Sequence, residues 1–287
     1  MYNPLMTAKI LDGKALAGKL RAKMKAKVDG LLAEGKPAPT LAVVLVGNDP
    51  ASKVYVGHKQ KACEEVGMRS VAKLFDASIT EENLIAEIQT LNQATDIHGI
   101  LVQLPLPSHI NASKVLSQVS AKKDVDGFHP LNMGKLALRQ PDIRPCTPFG
   151  IMRLLEETNI DVQGMHAVIV GASNIVGRPM ALELLLKGAT VTICHRFTKN
   201  LQAHVEQAEL LIAAVGKPGI IDSEWIKPGA VVIDVGINRL PDGSLQGDIE
   251  FDSAKERASA ITPVPGGVGP LTVAMLLANT LLSYSKH

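Results

Sequence analysis

Short runs of apolar, β-branched residues recur along this chain, and they alternate almost throughout with stretches of helical spacing. The runs are TLAVVLVG (40–47), SVAKLFD (70–76), IHGILVQLPLP (97–107), HAVIVG (166–171), TVTICH (190–195), ELLIAAV (209–215), AVVIDV (230–235) and SAIT (259–262). A strand that is apolar on both faces has to be covered on both, and the intervening helices supply the cover. Such alternation predicts an α/β protein with parallel sheets. The apolar mass is Leu, Val, Ile and Ala, with aromatics only 3% of residues, which suits that packing.

At 287 residues the chain is long enough for two domains of ordinary size. The stretch RQPDIRPCTPFG (139–150) holds three prolines and a glycine and reads as the connection between them. Residues 1–143 and 144–269 then form the two domains. The last segment, 270–287, has apolar residues nearly all round a helix and is expected to pack back on the first. Asp49 and Pro50 supply an N-cap and first residue for a helix from 50, and Thr80 opens another. A net charge of +2 without a long basic block argues against general nucleic-acid binding. No apolar run approaches the roughly 20 residues that span a bilayer, and the N-terminus lacks the pattern of a signal peptide. Three cysteines without a CxxC pair suit a reducing compartment, so a cytoplasmic protein is expected. Nothing has a zinc spacing, and no metal is expected.

Three features point to chemistry. First, GASNIVG places Gly171, Ser173 and Gly177 between a strand and a helix, where backbone N–H groups and the helix dipole can receive a phosphate. The spacing is not G-x-G-x-x-G, and a plain tight turn serves it equally well. The next strand ends in His195 and Arg196, which would suit a 2′-phosphate or an ordinary basic turn. Strands ending near Gly216 and Gly236 add two more loops of the kind that border a ligand. Second, Tyr55 and Lys59 sit one helical turn apart. By default they would pack and snorkel, but a lysine desolvated in a cleft serves acid–base chemistry. Gln103, a lone amide closing an apolar strand, either caps that strand or orients the amine. Third, Asp124 and Asp126 lie two residues apart on an extended segment, and one can bind a ligand while the other caps a turn.

Several of these stretches are long and rarely occur together. With YVGHK (55–59), GILVQLPLP (99–107), KDVDGFHP (123–130), RPCTP (144–148), GASNIVGRP (171–179) and TPVPGGVGPLT (262–272), the chain resembles the bifunctional methylenetetrahydrofolate dehydrogenase/methenyltetrahydrofolate cyclohydrolase family of the bacterial FolD type, end to end. The resemblance implies two α/β domains, the second a Rossmann-like dinucleotide-binding domain, with a cleft between them. It implies a homodimer that uses NADP and tetrahydrofolate one-carbon substrates in purine-supplying metabolism. Lys59 would be central to catalysis, Gln103 would orient it, Tyr55 would stack on the folate, and Asp126 rather than Asp124 would bind the pterin. Val56, Gly57, His58, Val102, Leu104, Pro265, Gly266, Gly267, Val268 and Gly269 would contact the substrate. Thr147, Gly171, Ala172, Ser173, Ile175, His195, Arg196 and Ile237 would contact the cofactor. Many relatives carry arginine where this chain has Ala172, so here the 2′-phosphate would fall to Arg196 and His195. Another NADP-linked oxidoreductase and a non-catalytic dinucleotide sensor are the competing readings.

Overall fold

The computed structural model describes residues 8–286. Residues 1–7 and 287, which the expected domain bounds include, lie outside the described residues. In chain order, β1 (Lys9–Ile10) and α1 (Gly13–Ala33) precede β2 (Thr40–Val46), α2 (Pro50–Glu65), β3 (Arg69–Phe75), α3 (Glu81–Gln93) and β4 (Gly99–Val102). Then come α4 (Ala112–Leu116), α5 (Pro130–Ala137), α6 (Cys146–Glu157), β5 (His166–Val170), α7 (Gly177–Leu186) and β6 (Thr190–Cys194). The remainder is α8 (Leu201–Val205), β7 (Leu210–Ala213), β8 (Val231–Asp234), β9 (Asn238–Arg239), β10 (Leu245–Gln246), α9 (Phe251–Lys255), β11 (Ala260–Ile261) and α10 (Val268–Tyr284). Two compact units result. Among the described residues, one is Gly18–Cys146 with residues 273–286, and the other is residues 8–17 with Thr147–Thr272. No helix among the described residues is long and apolar enough to cross a membrane.

The unit containing Gly18–Cys146 is built on a parallel sheet of order β3-β2-β4. Every residue of the central strand β2 is buried, as its unbroken apolar sequence requires. The strand read as 97–107 is shorter, Gly99–Val102, because Pro105 and Pro107 have no N–H for a ladder. A parallel bridge from Ile100 to Asp124 lays the 123–126 segment beside β4. Helix α10 fastens this edge: the buried Asn279 donates to the carbonyls of Val125 and Arg144, both at 2.8 Å. Ser283 donates to the carbonyls of His98 and Lys122. From Val273 onward the final helix belongs to this unit.

In the other unit six parallel strands follow the order β1-β11-β8-β7-β5-β6. From β5 the chain steps to β6 on one side and then crosses to β7 on the other. The switch point of this doubly wound sheet, where such folds bind ligands, thus lies between β5 and β7. Residues 8–17 join this unit rather than the one expected from the sequence. Their two-residue strand pairs Lys9 with Ala260, and Leu11 N–H reaches the Ile261 carbonyl at 2.8 Å. A strand that short leaves no periodic signal.

Candidate active site

Asp49 accepts the Ser52 N–H at 2.7 Å and Pro50 opens α2, as the sequence predicts. That start fixes Tyr55 and Lys59 one turn apart. Tyr55, Gly57 and His58 are exposed, Lys59 is half-buried and Val56 lies in the core. Lys59 Nζ donates to Gln103 Oε1 at 2.9 Å. The amide is itself anchored: its Nε2 donates to the Leu104 carbonyl at 2.6 Å. Its backbone N–H donates to the Val44 carbonyl at 2.8 Å, one residue past the end of β4. An ammonium has only donors and a carbonyl only lone pairs, so the two contacts fix which end of the amide faces which partner. Val102 is buried and Leu104 half-buried on either side.

The two aspartates, i and i+2 in an extended segment, would share a face by spacing alone, and their hydrogen bonds separate their roles. Asp124 is buried and accepts N–H groups from Phe128 at 3.2 Å and His129 at 2.7 Å, with the Asn132 amide at 2.8 Å. It is committed to the turn that starts α5. Asp126 is partly buried near Lys59. Burial raises its carboxyl to about 6, the Lys59 charge opposes that rise and the Asp124 charge adds to it. Gly127 then turns the chain at φ +79°, where a Cβ would press on the Arg144–Pro145 backbone. Cys146, not foreseen as part of this region, donates to the Val125 carbonyl at 3.2 Å. Its thiol is held well above its usual range, first by burial and then by the Asp126 charge.

The cofactor candidates and Pro265–Gly269 all belong to the other unit. Gly171 has φ +123°, and a Cβ there would collide with the Ala214 carbonyl, so the loops after β5 and β7 touch at the switch point. Ser173 Oγ accepts the Val176 N–H at 3.1 Å, folding the loop back towards α7. Arg178 Nε donates to the Ala172 carbonyl at 3.0 Å. The apolar Ile175 and Ile237 are exposed, as are the polar His195 and Arg196 just past β6. The Arg196 guanidinium lies 4.6 Å over the Phe197 ring. Thr147 and Thr272 hydroxyls are 2.9 Å apart. Pro265 is exposed, Gly267 and Val268 are buried, and Lys14 N–H holds the Gly266 carbonyl at 2.8 Å. A Cβ on Gly269 would meet Ile237 Cδ1 at 3.4 Å.

Two buried carboxylates behind these loops carry no local sequence signal. Asp248 accepts N–H groups from Val215 at 2.7 Å and from Gly216 and Lys217 at 2.9 Å, with the Asn238 amide at 3.0 Å. Asp234 accepts the N–H groups of Gly236, Asp248 and Ile249 at 2.9, 3.0 and 2.9 Å. Burial pushes the Asp234 carboxyl up to about 6 despite these bonds, and the Asp248 charge adds to the rise.

A parallel sheet with a glycine turn at its switch point fits many dehydrogenases. Comparison with known proteins narrows this. Residues 11–126 match the catalytic domain, and residues 145–287 the NAD(P)-binding domain, described as tetrahydrofolate dehydrogenase/cyclohydrolase. The chain belongs to the tetrahydrofolate dehydrogenase/cyclohydrolase family. Among solved structures, the bifunctional FolD methylenetetrahydrofolate dehydrogenase/cyclohydrolase from Campylobacter jejuni is 50% identical. It covers 97% of this chain and 99% of its own, with a TM-score of 0.95. The Trypanosoma brucei FolD, complexed with NADP cofactor and inhibitor, is 38% identical over 97% and 98% of the two chains, with a TM-score of 0.93. A 5,10-methylenetetrahydrofolate dehydrogenase from the silkworm Bombyx mori is 42% identical over 97% and 99%, with a TM-score of 0.91. This tetrahydrofolate dehydrogenase/cyclohydrolase thus carries the family's catalytic domain and NAD(P)-binding domain. The non-catalytic sensor reading is set aside.

Proposed function

We propose that this chain oxidises 5,10-methylenetetrahydrofolate to the 5,10-methenyl form with NADP⁺ and then hydrolyses that product to 10-formyltetrahydrofolate. The observation that carries the reading is the Lys59 Nζ–Gln103 Oε1 hydrogen bond in the neighbourhood of Asp126. NADP⁺, when bound, supplies the hydride acceptor. The glycine turn at 171, free of any side chain, and the exposed Ser173, His195 and Arg196 fit a phosphorylated dinucleotide. Ala172, Ile175, Ile237 and Thr147 are its remaining proposed contacts. With Ala172 in place of an arginine, Arg196 and His195 take the 2′-phosphate, which makes NADP the preferred form.

The residues of this chain then do the following. Tyr55, exposed one turn before Lys59, stacks on the folate. Asp126 accepts from the pterin amino edge, a task its ionised form performs above pH 6. Val56, Gly57, His58, Val102, Leu104 and Pro265–Gly269 are assigned to substrate contact. Hydrolysis of the methenyl carbon needs a proton moved as water attacks and the ring opens, and Lys59 Nζ is the group placed for it. Gln103 holds that amine in one orientation, so it is a positioning residue. Lys59→Met should abolish hydrolysis of supplied methenyltetrahydrofolate while nucleotide titration is unchanged. Near wild-type hydrolysis by this variant would remove Lys59 from the mechanism.

The homodimer and cytoplasmic assignments belong to the same proposal. Exposed Leu185, Ile193 and Phe197 on and beside the edge strand β6 supply apolar surface for self-association, which sedimentation would show as a mass twice 30.5 kDa. Cys63, Cys146 and Cys194 are free and buried, which suits a reducing compartment.

A further inference from the structure

We propose that Asp248, braced by Asp234, is a positioning residue for dinucleotide binding: its carboxylate sets the two loops that form one wall of the nucleotide site. The inference rests on the reading of the Gly171 turn as that site.

Asp248 Oδ2 receives the N–H groups of Val215 and Gly216, and its Oδ1 receives those of Lys217 and the Asn238 side chain. Three successive backbone donors on one carboxylate hold the segment after β7 in a single conformation, much as an anion fills a nest of amides. That segment begins at Ala214, whose carbonyl is the atom a Cβ on Gly171 would strike. The same carboxylate governs the loop after β8. A Cβ on Gly236 would collide with Asp248 Oδ1, and Asn238 is tied to that oxygen, so Ile237 lies between a glycine packed against Asp248 and a residue bonded to it. Asp234 bonds the Asp248 and Gly236 N–H groups and so keeps the brace in register. A Cβ on Gly247 would in turn strike Asp234, which leaves only glycine next to Asp248 in the chain. Neither carboxylate faces the nucleotide through a side chain of its own; both act through backbone that does.

Asparagine at 248 keeps the shape but turns one accepting oxygen into an NH₂ aimed at backbone N–H groups, so two of the four bonds are lost. Asp248→Asn should bind NADPH, titrated by fluorescence, about tenfold more weakly, and raise the KM for NADP⁺ in parallel. Hydrolysis of supplied methenyltetrahydrofolate, which uses no nucleotide, is the readout that a general loss of fold would lower and a positioning defect would not. Unchanged NADPH affinity, or an equal fall in both activities, would overturn the proposal. Should Asp248→Asn not fold, Asn238→Ala decides: it removes one donor from the same carboxylate, so weaker NADPH binding supports the proposal and wild-type affinity overturns it. If the wild-type chain itself binds no NADPH, the nucleotide reading fails and not merely the role of Asp248.

Discussion

Asp126 sits where function and stability pull apart. Its carboxyl titrates at about 6 in the folded chain because of burial, against about 3.9 when unfolded. Between those values the folded state holds the proton and the unfolded state has lost it, so stability falls as pH rises from about 4 to about 6. Asp126→Asn does not carry this penalty. It should be more stable than wild type at pH 7 by about 1–2 kcal/mol, a gain that vanishes below about pH 4, as urea unfolding at the two pH values would measure. A variant less stable than wild type at pH 7 would mean that the attraction to Lys59 outweighs burial. The division between Asp124 and Asp126 was not legible: residues two apart in an extended run share a face, and only the Phe128, His129 and Asn132 donors say which one serves the turn. Gln103 was more legible, since an amide at the end of so apolar a run needs a partner.

Element by element, the long pieces were readable, and of the two-residue strands only β11, within SAIT, was. The cap at Asp49, the buried β2 and the helix at α3 follow from local spacing. Strands β1, β9 and β10 have two residues each, and α5 starts after a glycine-bearing turn and contains Gly134, so no period shows. Asp248 was invisible because its backbone donors lie 31–33 residues earlier, while Gly247–Asp248 reads locally as a turn. Helix α10 was expected to pack on the first unit, though its polar residues gave no reason. Asn279 supplies one, bridging the carbonyls on either side of Asp126 and Cys146. Asn279→Leu leaves both carbonyls without that donor and should cost about 2–4 kcal/mol by urea unfolding. A loss below about 0.5 kcal/mol, the range of ordinary surface changes, would show that α10 does not anchor this segment.

At the scale of the whole molecule, two parallel sheets, each with its functional loops beyond the strand ends, follow from alternation alone. The assignment of residues 8–17 did not, because it depends on a pairing with β11 some 250 residues away. The central claim is that one chain performs an oxidation and the hydrolysis that consumes its product. The most direct test mixes the purified protein with 5,10-methylenetetrahydrofolate and NADP⁺, or NAD⁺ in parallel, and follows reduced nicotinamide and methenyl absorbance together. The account predicts reduction with NADP⁺, slower reduction with NAD⁺, and little lasting methenyl signal. Reduction with persistent methenyl accumulation would contradict the hydrolytic role given to Lys59, and no reduction with either nucleotide would contradict the folate reading itself.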